Sequence, residues 1–188
     1  MSTSNGNGDG RYARLEQRNF FDEIVALRDS QRERFKTSEW MVKYDELPWE
    51  LNRQGYLKWY MAPTMDDLCM STYIMYMHKI PAHSRSGKQL TQGQQLGFIW
   101  KATSPGGHSI IDGERYDWEE WDIVLIPIRT KGSVVQHFND SDEDIEIMFC
   151  SLNQVYSAGV DRGSGFEQLE DCPEYRQQAA AARAAAQG

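Results

Sequence analysis

No apolar run in this 188-residue sequence approaches the length of a membrane-spanning helix. Basic residues are in deficit: 20 Lys and Arg stand against 28 Asp and Glu, a formal net charge of −8. Nucleic acid and anionic lipid both demand a surplus of Lys and Arg on one face, and no basic stripe is visible, so neither is an expected partner. Cysteine is scarce. Cys69, Cys150 and Cys172 are far apart, odd in number and without a CxxC pair, which argues against a disulfide scaffold and for ordinary free thiols in a reducing compartment. The opening "MSTSNGNGDG" has neither the basic start nor the apolar core of a signal peptide; the resulting expectation is a cytoplasmic protein. Internal repeats, a phosphate loop, a nucleotide fingerprint and a nucleophile-and-base pair are all missing.

What is present is apolar material enough for one core: 40% of residues are hydrophobic. Residues 1–10 are Ser-, Asn- and Gly-rich and read as a disordered tail. Over 11–38, Leu15, Phe20, Ile24, Leu27 and Phe35 recur at helical spacing among strong helix formers. This predicts an amphipathic helix that packs against a sheet or a partner chain, and with it a homodimer. From 39 to 156 the pattern changes to short apolar runs broken by Gly, Pro and Asp. Strands are expected at "LKWYMA", "STYIMYMHKI", "QLGFIWKA", "HSIID", "ERYDW", "DIVLIPI", "SVVQHF" and "IEIMFCSL". Asp112-Gly113 suits a tight hairpin turn. The fold class is therefore all-β, a jelly-roll type barrel with an N-terminal helix. The extension 157–188 ends in an Ala-rich stretch that is either helical or disordered.

The stretch from Ile80 to Ser104, "IPAHSRSGKQLTQGQQLGFIWKATS", and the one from Trp121 to Asn139 resemble the two motifs of the cupin superfamily, with the gentisate-dioxygenase-like branch as the nearest flavour. The first motif spaces Gly, His, His, Glu and Gly as His83, Gln89, Thr91, Gln95 and Ala102 are spaced here. The second is matched by Trp121 at its first Gly, then Pro127, Gly132, Val135 and Asn139, with the step from Pro to Gly three residues longer. The resemblance covers about 80 residues, Tyr73 to Leu152, and implies a cupin-type barrel. In that family the two His, the Glu and the last His hold a divalent metal. Gln89, Thr91, Gln95 and Val135 occupy those places: a valine has no donor atom, and amides and a hydroxyl are weak neutral ligands. No metal and no cofactor are expected.

Several side chains are candidates for chemistry. His137 lies two residues from Val135, so it should also face the barrel interior, either as a general acid or base or as a hydrogen-bonded wall histidine. His78 shares a strand face with Tyr76 and Ile74; that face lines the pocket if it is inward, whereas Met75 and Met77 would be the core residues if it is outward. Gln89, Thr91 and Gln95 form a neutral polar row suited to a carbonyl, hydroxyl or carboxylate of a small molecule, or to bound water alone. Gly97 leaves inward room and so a wider pocket. Arg85 and Lys88, in the loop leading to the row, could recognise an anionic group, or be solvated. His83 and His108 should be exposed. Trp100, Trp118 and Trp121 read as packing residues without a role in chemistry.

The reading these residues support first is a metal-independent barrel enzyme doing proton transfer, of isomerase, cyclase, lyase or epimerase type, on a small oxygenated, aromatic or carboxylate substrate. His137 would act with Tyr76 or His78. Two alternatives stay open: an iron-dependent ring-cleaving dioxygenase with ligands from His83, His137 and His78 or His108, and a non-catalytic ligand-binding barrel.

Overall fold

Alternating side chains organise the strands into two facing antiparallel sheets. A computed structural model describes residues 10–153 and 166–186; of the expected tail, residues 1–9 lie outside the described residues. Helices α1 (Arg11–Glu16) and α2 (Phe20–Thr37) precede a 3-10 turn at Tyr44–Glu46. There follow β1 (Glu50–Leu51), β2 (Tyr56–Met61), β3 (Tyr73–Ile80), β4 (Lys88–Thr91), β5 (Gln95–Lys101), β6 (Gly107–Ile111), β7 (Glu114–Trp118), β8 (Ile123–Ile126), β9 (Ser133–Asn139), β10 (Ile145–Leu152), β11 (Phe166–Glu170) and α3 (Pro173–Ala185). One sheet runs β1-β2-β3-β10-β5-β8 and the other β11-β4-β9-β6-β7.

The inward residues follow from the period of two. On β10, Ile145, Ile147 and Phe149 are buried, and they join Ile80, Ile99, Val124 and Ile126 of the same sheet with Trp118 and Val135 of the other. The β6–β7 hairpin turns at Asp112 (φ 54°) and Gly113 (φ 91°), the paired positive φ angles of the tight turn expected there.

Three features differ from the sequence expectation. The helix over 11–38 is two helices, because the Asn19 side chain accepts a hydrogen bond from the Asp22 amide and caps a new start. The short strands β1 and β4 join the expected set. The barrel also does not stop at 156: Phe166–Glu170 of the extension adds β11 to the edge of the second sheet, paired with β4. The Ala-rich end is helical over Pro173–Ala185, capped by Cys172 with Pro at its first position. No helix among the described residues is long and apolar enough to cross a membrane.

Candidate functional site

Between the sheets, at the end where β5 begins and β10 ends, lies a cavity of about 360 Å³, within the size range of small-molecule sites. Its apolar walls are Leu57, Trp59, Ile74, Tyr76, Leu152 and Phe166. The neutral row is there too: Gln89, Thr91 and Gln95 all line it, with Gln54 and Gln168. The Gln89 amide donates to Gln168 Oε1 at 3.0 Å, and Gln168 Nε2 in turn donates to the carbonyls of Arg53 and Glu170 and to Gln54 Oε1. That network fixes one wall. Neither the Gln95 amide nor the Tyr76 hydroxyl has a hydrogen-bond partner among the described residues. Tyr76 is held by its ring, 5.0 Å from Trp59 and 5.4 Å from Phe149, and burial raises its phenol pKa, so it is a proton donor and not a base.

Phe149 does not itself line the cavity but packs behind Tyr76, with ring centroids 5.4 Å apart. Its ring occupies the space that Gly97 leaves on the neighbouring strand, where an added Cβ would stand 2.7 Å from it. The pocket is therefore not widened at Gly97, as its missing side chain suggested; an aromatic from β10 has taken that room.

Beneath Phe149 lies a second layer that the cavity does not reach. His137 and His78 face inward there, with ring centroids 5.1 and 6.1 Å from Phe149, and are 3% and 1% exposed. The inward setting of the Tyr76–His78 face is thus settled, and Met77 is buried on the outer side. Trp118 Nε1–H donates to Ser109 Oγ at 3.0 Å. Ser109 Oγ is also 2.8 Å from His137 Nδ1, a bond that fixes the ring's orientation. His78 has no such partner: both ring nitrogens are buried and unbonded. Burial holds His137 at a pKa of about 4. Burial and then the neighbouring His137 push His78 down to about 3, opposed weakly by the Gln54 backbone, which lies outside hydrogen-bonding geometry. Both rings are neutral at pH 7. The expected trio of His137, His78 and Tyr76 is thus divided, with Tyr76 alone lining the cavity.

Other expected positions are also corrected. Arg85 and Lys88 do not enter the cavity. Lys88 Nζ pairs with Glu170 at 2.5 Å, and Arg85 lines a separate shallow depression with His83 and Asp140. Val135 faces Gln89 across the β4–β9 pairing but is buried in the core. His108 is buried, not exposed, stacked on Phe138 with Nδ1 2.6 Å from Asp140. His83 is exposed and 2.7 Å from Asp142. No three His, Cys, Asp or Glu side chains among the described residues are grouped so that they could hold a metal, as the iron-site alternative would need. Nor do the residues at the four motif positions fit a divalent cation, being three neutral oxygen or amide donors and one buried valine.

The motif register itself has backbone support. His83 (φ 54°) and Trp121 (φ 75°) stand at the two glycine places and adopt left-handed conformations that favour glycine, as does Gly132 at φ 76°. Asn139, the last motif residue, donates from Nδ2 to the carbonyls of Ile80, Pro81 and Glu143 and ties the strand end to two loops.

Two antiparallel sheets closed over a ligand-sized interior define a jelly-roll barrel protein. Among solved structures, a cupin 2 conserved barrel domain protein from Salinispora arenicola matches with a TM-score of 0.50 and 18% identity over 68% of this chain and 97% of that one. The polyketide cyclase RemF from Streptomyces resistomycificus matches at 0.50 with 7% identity, over 61% and 79%. A salicylate 1,2-dioxygenase from Pseudoaminobacter salicylatoxidans matches at 0.44 with 15% identity, over 55% and 26%. No protein-family model matches the sequence, and no curated protein is significantly similar to it. The chain has the cupin fold; at these identities the likeness carries the fold and not the chemistry.

Sequence reasoning missed Phe149 and Ser109 as parts of the interior and Phe166 and Gln168 as parts of the cavity; of the tryptophans read as packing residues, Trp118 is buried in the core, whereas Trp100 and Trp121 are exposed. Phe149 had a signal, since a glycine at strand spacing often faces an aromatic on its neighbour. Phe166 and Gln168 lie beyond the motif-bearing segment and had none.

Proposed function

We propose that this protein is a small-molecule-binding cupin barrel whose ligand is uncharged, oxygen-bearing and largely apolar, and that it binds without a metal. The observation that carries this reading is the composition of the cavity. Arg53 is the one residue among its described lining that is charged at neutral pH, and its guanidinium is already paired with Asp171 at 2.6 Å. A carboxylate brought into the cavity would lose its hydration without gaining a free cation. A carbonyl or hydroxyl has what it needs in Gln95 and Tyr76, and a ring has Trp59 and Phe166 as walls.

A second reading is favoured by Tyr76 alone: proton-transfer chemistry in which its hydroxyl polarises or protonates a ligand oxygen. The described lining supplies that donor but no base, since His137 and His78 lie beneath Phe149. Ligand binding is therefore the reading preferred.

Thermal-shift screening of matched pairs, each a neutral phenol or quinone and its carboxylate analogue, followed by calorimetry on the hits, tests the proposal. Neutral members should bind at least tenfold more tightly, and Gln95→Leu should weaken them. Tighter binding of the carboxylates, or affinity unaffected by Gln95→Leu, would overturn it. Conversion of a bound ligand, abolished in Tyr76→Phe, would favour the second reading.

A further inference from the structure

Among the described residues, the long helix α2 has no surface to pack on. Helix α2 has no buried residue, although Phe20, Ile24, Leu27 and Phe35 fall at spacings that share one face; Ile24 is 64% and Leu27 59% exposed. A lone helix of this length is marginal in water and depends on burying its apolar face.

The same chain leaves a sheet face bare. One half of the outer face of the six-stranded sheet is covered, with the rings of Tyr44 and Trp49 over Lys58. The other half, on β5 and the edge strand β8, presents Leu96, Phe98, Trp100, Ile123 and Leu125 outward with Trp121 beside them. Leu96 pairs with Leu125 and Phe98 with Ile123. Phe98, Trp100 and Trp121 form a triangle of rings 5.8 to 6.2 Å apart. Leu125 is 69% and Trp121 62% exposed. A contiguous apolar patch on an edge strand is uncommon on a monomer.

We infer that α2 of one copy lies across the β5–β8 face of a second copy, and reciprocally, so that the chain is a homodimer closed by two helix-on-sheet contacts. The dimensions agree: Phe20 to Phe35 spans ~23 Å of helix, and the seven residues of β5 span ~23 Å of strand. The charges agree as well. Over its last eleven residues α2 has four basic residues, Arg28, Arg32, Arg34 and Lys36, against Asp29 and Glu33, while the loop beside the patch holds Glu119, Glu120 and Asp122. This matches the C-terminal half of the helix to the acidic end of the patch and sets its direction. Each helix contact is made by different surfaces on the two copies, and a twofold axis closes the pair without leaving either surface free.

The test uses light scattering at about 50 µM on the full chain and on two double variants, Ile24→Glu with Leu27→Glu and Ile123→Glu with Leu125→Glu. All four side chains are more than half exposed, so circular dichroism and the unfolding midpoint should stay close to those of the unaltered chain. That chain should be dimeric and each variant monomeric. An equimolar mixture of the two variants should recover a dimer, because the intact helix of one meets the intact sheet of the other. A monomeric unaltered chain would overturn the inference. A sheet variant that stays dimeric would mean helix-to-helix pairing, a helix variant that stays dimeric would mean sheet-to-sheet pairing, and a mixture that stays monomeric would mean that helix and sheet do not meet. Each of these three also overturns it.

Discussion

The interior of the barrel has two polar regions, the cavity wall and the histidine layer packed against Phe149, and they solve the polar-group problem in opposite ways. Above Phe149, the amides of Gln89, Gln168 and Gln54 satisfy one another and hold a wall, while Gln95 and Tyr76 keep free polar groups toward an open cavity. Below it, Ser109 bonds His137 and accepts from Trp118, and His78 keeps two buried nitrogens with no partner among the described residues. An unpaired polar group beside a cavity is a binding group in waiting. In a buried layer it costs stability, on the order of 1–3 kcal/mol. Of the three titratable groups most displaced from their usual pKa, the two histidines are thus on the side where a ligand does not reach, and Tyr76 alone lines the cavity. Perturbed pKa values cluster at functional sites only as a tendency, and here the shifts report burial.

The largest expected effect tests the histidine layer. Both imidazoles titrate near 6.5 when the chain is unfolded, and near 3 and 4 when it is folded. Below pH 6.5 the unfolded chain binds more protons, so stability is full above 6.5 and falls as the pH drops toward those folded values. The loss is up to ~1.4 kcal/mol per pH unit for each histidine. Two such slopes rival the stability of a whole domain within a few pH units. Urea titrations from pH 8 to 4 should show a steep fall below 6.5, and His78→Leu should reduce that slope by about half while raising stability at pH 7. A flat profile over this range would mean that water or a partner reaches the pair.

Phe149→Ala removes the ring that packs against both Tyr76 and the histidines. Truncating a buried Phe costs ~3–5 kcal/mol through lost burial and the void left behind, and here the void opens between Tyr76 and the histidine layer. Chemical denaturation should show a loss of that size, and the variant should bind longer ligands than the unaltered protein does. A loss under 1 kcal/mol would mean that the ring is not packed as described.

How much of this was legible in the sequence follows the range of each signal. Short apolar runs broken by Gly, Pro and Asp placed eight of the strands, and the Asp112-Gly113 turn and the N-terminal helical segment came from local chemistry that tertiary context did not override, while the Ala-rich end, open between helix and disorder in the sequence, is helical. The motif spacing put Gln89, Thr91 and Gln95 on one cavity because register is fixed along a strand and across its neighbour. What failed was everything decided by volume across the barrel. Gly97 reads as open space along its own strand, but Phe149 is 52 positions away in the chain and fills it. His137 reads as cavity-facing by its alternation with Val135; it does face inward, and only the depth of the layer separates it from the ligand space. Arg85 and Lys88 were adjacent in sequence to the polar row, yet Glu170 on β11, a strand with no signal of its own, takes the lysine.

The two regions should also respond oppositely to paired substitutions. His137→Ala removes the hydrogen-bond partner of Ser109 and leaves a void in a buried layer, so stability should fall by ~2–3 kcal/mol while ligand affinity on the folded protein stays within twofold. Gln95→Leu should leave the unfolding midpoint nearly unchanged and weaken ligand binding by ~1–3 kcal/mol, since the ligand oxygen loses its partner on burial. Calorimetry combined with denaturation separates the two, and loss of affinity in His137→Ala would place that histidine back at the site.

The smallest expected effect isolates a single oxygen atom. Tyr76→Phe keeps the ring that packs 5.0 Å from Trp59 and 5.4 Å from Phe149, so the aromatic wall is intact. The hydroxyl it removes has no partner among the described residues, so its loss leaves none of them unsatisfied; stability should change by less than ~0.5 kcal/mol. A neutral ligand that accepts from this hydroxyl loses one hydrogen bond, of ~0.5–1.5 kcal/mol, which is an affinity change of about two- to twelvefold in calorimetry. If instead affinity is unchanged and the unfolding midpoint falls, the hydroxyl has been serving the fold, and the free polar groups of the cavity wall reduce to Gln95.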